Sequence, residues 1–233
     1  MIRAILHGTA VAVNTYTLVY DQLYMELPFP AEGYKELPLR ARYAFVTYWC
    51  LALQTVYFSL SLLNDFFGTN DASPRKKPLI RTIKDLLFSL AFPVALFVTI
   101  SFWTIYFYRK ELVAPDHIER LVPIWVNMVL HVTNTLFISA EILVSRITYP
   151  ERPIGLAFVI VFNIAYLFCL VKIKLLTGTW IYPLLVILDV PTTVVFFAVG
   201  FLICLSFYFL GEMLCSAPNV QVNGYHGNLK KKY

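Results

Sequence analysis

The sequence predicts an all-α fold, a polytopic transmembrane helical bundle of about six spans. Three observations predict it. First, 59% of the 233 side chains are hydrophobic and only 14% are charged, against about 25% charged in a soluble domain. A soluble chain of this composition would expose large apolar patches and aggregate. Second, apolar runs recur at about the 20 residues that a helix needs to cross a bilayer. Third, Lys and Arg gather between and outside those runs.

The first run, residues 4–20, is interrupted by His7 and Asn14. A signal peptide is the alternative to a span there, but Asp21, Gln22 and Leu23 follow instead of a small-residue cleavage site. The second span covers residues 43–63. The third covers 86–108 and holds Pro93, which membrane helices tolerate where neighbours satisfy the freed carbonyl. The fourth, fifth and sixth cover 121–144, 154–171 and 192–210. Between the last two, residues 175–190 include Trp180 and Tyr182, side chains that suit a membrane interface. A loop or short helix at the membrane edge is expected there. Residues 1–212 form one transmembrane domain, and 213–233 a cytosolic basic tail.

The net charge is +5. Counted on alternate sides of the spans, 11 Lys and Arg fall on the side of both termini and 8 on the other. The richer side is expected to be cytoplasmic, which places both termini in the cytosol. The chain closes on Lys230-Lys231-Lys232-Tyr233. That ending is either a dilysine retrieval signal for the endoplasmic reticulum or a basic tail near anionic lipid; the plasma membrane is the alternative location. No basic helix with interleaved aromatics suggests nucleic acid. The four Cys and four His show no metal-ligand spacing, so no metal or cofactor is expected. Oligomeric state is not legible.

Polar side chains within spans tend to face a bundle interior. At 100° per residue, Thr47, Cys50, Gln54, Ser61 and Asp65 share one face of the second span. Asn127, His131, Asn134 and Ser145 share one face of the fourth, with Glu141 at its margin. Interhelical hydrogen bonding accounts for most of these. His131 is singled out as the one His deep in a span, with a side chain that titrates near neutrality. Thr47 and His131 on facing helices suggest a nucleophile and its base. Counted from the span starts, they differ in depth by about 9 Å, which permits the pair without establishing it.

Four stretches resemble a known family: TYWCLALQTVYF (47–58), KDLLFSLAFPVALFVTISFW (84–103), VPIWVNMVLHVT (122–133) and TGTWIYP (177–183). The closing Tyr208-Phe209-Leu210-Gly211-Glu212 fits as well. In this order they resemble the androgen-induced and androgen-dependent TFPI-regulating family of multipass membrane hydrolases. The resemblance implies hydrolysis of fatty acid esters of hydroxy fatty acids by an intramembrane Thr nucleophile with a His partner. Thr47 and His131 stand at the matching positions. Met128 stands where relatives often carry a second His. Asn127 and Asn134, each about a turn from His131, are candidates to orient its ring or donate to an oxyanion. The expected partners are the lipid ester and membrane lipid. A non-catalytic membrane regulator and a small transporter are the alternatives; a transporter would show paired charges at the midplane or internal repeats.

Overall fold

The computed structural model describes residues 1–28, 31–35, 37–71 and 77–229, with residue 40 and residues 217–229 described by backbone alone. Arg75, Lys76 and the ending Lys230 to Tyr233 lie outside the described residues. The described residues form helices and no strands. Six long helices make up the fold: α1 (Ile2–Tyr24), α2 (Val46–Phe67), α3 (Leu79–Arg109), α4 (Ile124–Val144), α5 (Arg152–Thr177) and α6 (Val190–Leu229). Short helices at Asp116–Glu119 and Pro183–Ile187 sit in the connections.

Helices α2 to α5 and the Val190–Ser216 part of α6 are each long and apolar enough to cross a membrane. The protein is therefore integral to a membrane. Helix α1 is equally long but more polar, and the structure shows where its polar groups go. His7, Asn14, Thr17 and Asp21 are all buried against the bundle. Near its start His7 meets Asp65 at the end of α2. Near its finish Asp21 meets Arg42, just before α2 begins. So α1 runs antiparallel to α2 along its whole length.

Local sequence explains the ends. Gly178 closes α5 at φ +81, the left-handed conformation that a helix C-terminus favours. The Asp189 carboxylate accepts from the Thr192 N–H at 3.0 Å and caps α6. Pro183 opens the short helix in the connection expected at the membrane edge. Helix α3 passes through Pro93 unbroken and starts at Leu79, seven residues before the expected span. Its extra turns are possible because Arg81, Lys84 and Asp85, all buried, find charged partners.

The main core joins α2, α3, α4 and α6 through Tyr57, Phe58, Phe88, Phe92, Ile138 and Tyr208. Gly211 of α6 lets that helix approach closely: a Cβ there would come within 2.8 Å of the Phe92 ring. The two ends of the bundle sort the cations as the alternating count does. Arg3, Arg81, Arg146 and Arg152 gather at one end, linked by Arg81 to the Arg146 carbonyl and Arg152 to Glu212. Arg42, Lys110 and Lys174 gather at the other.

Candidate active site

Helix α2 begins in a corner built by four segments. The Arg42 guanidinium is buried between the Asp21 carboxylate, at 2.8 Å, and the Met25 carbonyl, at 2.9 Å. Leu39 and Ala41 adopt φ +50 and +54, a left-handed backbone that costs about 1–2 kcal/mol per residue without glycine. The TGTWIYP run explains itself here. Its Tyr182 hydroxyl accepts the Val46 N–H, one of the donors that a helix start leaves unsatisfied, at 3.0 Å. Tyr166 donates to the Ala44 carbonyl at 3.0 Å. Desolvation raises the Tyr182 phenol above its usual pKa, so it stays a neutral hydroxyl. Thr47 is the second residue of α2 and is half-buried.

His131 lies in a five-residue π-helical turn, Val129–Thr133, inside α4. Such turns occur often at functional sites because they widen the helix and re-aim one side chain. Side chains serve the carbonyls around the widened turn: Asn134 Nδ2 donates to Val129 and Thr133 Oγ1 to Met128. His131 is 8% exposed. Its ring stacks on Phe102 at 3.6 Å between centroids, and Trp103 donates to its carbonyl. His131 Nδ1 is 2.7 Å from Asn127 Oδ1 and 3.1 Å from the Asn127 carbonyl oxygen. Both are acceptors, so Nδ1 carries the proton. In the neutral ring Nε2 then holds a lone pair, the state that a general base requires.

The structure thus brings Asn127 and His131 together. Asn134 is 2% exposed and its amide N–H is committed to Val129. No hydrogen bond joins Thr47 to His131 among the described residues. Their depths are nonetheless comparable. Tyr57 of α2 donates to Glu141 of α4 at 2.9 Å. Thr47 and His131 each lie ten residues before that bond on their own helices, a rise of about 15 Å on both. The difference of about 9 Å counted from span starts shrinks because the two helices do not begin at one level. Leu51, one turn along α2 from Thr47, shares a buried cluster with Val129 and Leu130, the neighbours of His131.

A second polar constellation was not anticipated. His7, which interrupts the first apolar run near its start, is fully buried. Its Nδ1 is 2.7 Å from Asp65 and its Nε2 2.6 Å from Glu141. Glu141 also accepts from Lys84 at 3.0 Å and from Tyr57. Charged pairs are therefore present inside the bundle, but near one end of it: Asp65 is two residues from the end of α2 and Glu141 three from that of α4. No sequence spacing reveals them, since the five residues come from four helices. The available signal was the rule that a His or Glu in an apolar helix turns inward.

The profile of the FAR-17a/AIG1-like protein family matches residues 2–216. The chain belongs to the FAR-17a/AIG1-like family. Similar proteins include the human androgen-dependent TFPI-regulating protein, 31% identical over 175 residues, which are 75% of this chain and 76% of that one. The human androgen-induced gene 1 protein is 31% identical over 190 residues, covering 77% and 80%. The mouse androgen-dependent TFPI-regulating protein is 27% identical over 216 residues, covering 88% and 92%. No solved structure matches the chain. The FAR-17a/AIG1-like match takes in α1 and every residue of both polar constellations.

Proposed function

We propose that the protein is a membrane-embedded hydrolase of fatty acid esters of hydroxy fatty acids, with Thr47 as nucleophile and His131 as its base. The observation that carries the reading is the state of His131: buried, stacked on Phe102, and held through Nδ1 by Asn127 so that Nε2 is free to accept a proton. Thr47 Oγ attacks the ester carbonyl while its proton passes to Nε2. The tetrahedral intermediate expels the hydroxy fatty acid, whose oxygen takes that proton back. Water, deprotonated by the same nitrogen, then cleaves the acyl-threonine and releases the fatty acid. The membrane supplies the substrate. The endoplasmic reticulum, with both termini cytosolic, is the location that the charge distribution and the terminal lysines favour.

The missing hydrogen bond between Thr47 and His131 favours a second reading, a regulator without catalysis. A fluorophosphonate probe on purified protein separates the two. The hydrolase reading expects label on Thr47, located by peptide mass spectrometry, and competition by the ester. Absence of label from folded protein that also releases no hydroxy fatty acid supports the regulator.

A further inference from the structure

At the end of the bundle that holds the His7–Asp65–Glu141 network there is a cavity of about 330 Å³, the lower end of the ligand-pocket range. It is lined by Arg3, Asn70, Ser145, Arg146 and the apolar Ile142 and Leu143, among others. We propose that it binds the anionic head, phosphate or carboxylate, of a membrane amphiphile whose hydrocarbon lies along the Ile142–Leu143 face.

Charge is the first ground. Within the network at this end, Glu141 is paired with Lys84, and His7 bonds to both Asp65 and Glu141. Asp65 also accepts from Asn70 at 3.0 Å. Arg3 stands 4.0 Å from Asp65, a loose pair, with its side chain 38% exposed. Arg146 has no ion-pair partner among the described residues, and its main chain is fixed by Arg81, which donates to its carbonyl. Two cations thus line one cavity, Arg146 with no carboxylate among the described residues and Arg3 with one only at 4.0 Å. Unsatisfied hydrogen bonding is the second ground. Ser145 lines the cavity and is 7% exposed, yet its hydroxyl has no partner. A buried hydroxyl without a partner is costly, and an anionic oxygen accepting from it removes that cost. Position is the third. Leu143 is 86% exposed and leads from the cavity onto the lipid-facing side of α4, so one molecule can place its head among the arginines and its chain in the bilayer. A Lys or Arg near a membrane surface favours an anionic lipid. The inference is independent of the hydrolase reading, because none of these residues belongs to the Thr47–His131 site.

Native mass spectrometry of the purified full chain tests it, with phosphatidic acid, oleic acid and phosphatidylcholine as separate probes. The expected result is retention of an anionic probe about tenfold or more above phosphatidylcholine. Preference for phosphatidic acid identifies a phosphate head, preference for oleate a carboxylate, and retention of both a site that reads charge alone. Arg3→Gln with Arg146→Gln should erase the preference while the melting temperature in neutral lipid stays near that of the parent chain. Asp65→Asn should strengthen it, since Arg3 then loses its competing carboxylate. Equal retention of all three probes by the parent chain overturns the proposal. So does undiminished preference in the folded double variant. If the double variant does not fold, Arg146→Gln alone, at an exposed position, decides by the same criterion.

Discussion

His131 shows how one residue's surroundings select its chemistry. Two acceptors on Asn127 fix the proton on Nδ1, and the Phe102 ring fixes the plane. In the proposed mechanism Asn127 is a positioning residue. Asn127→Leu keeps the volume and removes the side-chain acceptor. It should lower the turnover number by about tenfold or more with KM little changed, because in the proposed mechanism Asn127 acts through the His131 ring. Steady-state kinetics on folded protein check this; a rise in KM with unchanged turnover would assign Asn127 to substrate binding instead. The candidates Thr47, His131, Asn127 and Asn134 are visible in sequence because polar residues in an apolar helix stand out. Their relations are not. Asn127 rather than Asn134 meets the His131 ring because helical side chains lean toward the N-terminus, while Asn134 serves the Val129 carbonyl of the π-helical turn, which has no sequence signature of its own.

At the scale of elements, the least apolar helix is the best tied. Helix α1 is joined to its neighbours by Arg42 to Asp21 at one end and by His7 to Asp65 and Glu141 at the other. A hydropathy count alone ranks it last among spans for the same residues that hold it in place. Glu141 accepts from three partners, on α1, α2 and α3. Removing one partner of a buried ion pair costs about 3–5 kcal/mol, because the remaining charge stays desolvated. Glu141→Gln leaves the Lys84 cation without its carboxylate. It should lower the melting temperature of purified protein by about 10 °C. Glu141→Gln with Lys84→Met removes both charges and should recover part of that loss. A single variant as stable as the parent would show that the network carries no net stabilisation. Five of the six helices were legible as spans from apolar length. The N-terminal extension of α3 was not, since Arg81, Lys84 and Asp85 read as loop until their partners on other segments are known.

For the whole molecule, the start of α1 and the far part of α6 lie at one end of the bundle. Arg3, Arg146 and Arg152 meet at one end of the bundle, and α6 continues from that end through Leu229. Tags at the two ends should therefore become accessible together after selective permeabilisation of the plasma membrane. A protected C-terminal tag beside an accessible N-terminal one would mean that α1 does not cross. The same architecture positions the candidate residues. Six helices hold a half-buried Thr at the start of α2 and a buried His in α4 at comparable depth, at the end of the bundle opposite the ion network. The most direct test of the account is the rate of hydroxy fatty acid release per folded molecule for Thr47→Ala, measured beside Thr47→Ser and His131→Gln in purified protein. The account predicts loss of turnover by at least about 100-fold in Thr47→Ala and His131→Gln, with partial activity retained in Thr47→Ser, which keeps a hydroxyl. Thr47→Ala releasing product at the parent rate would contradict it.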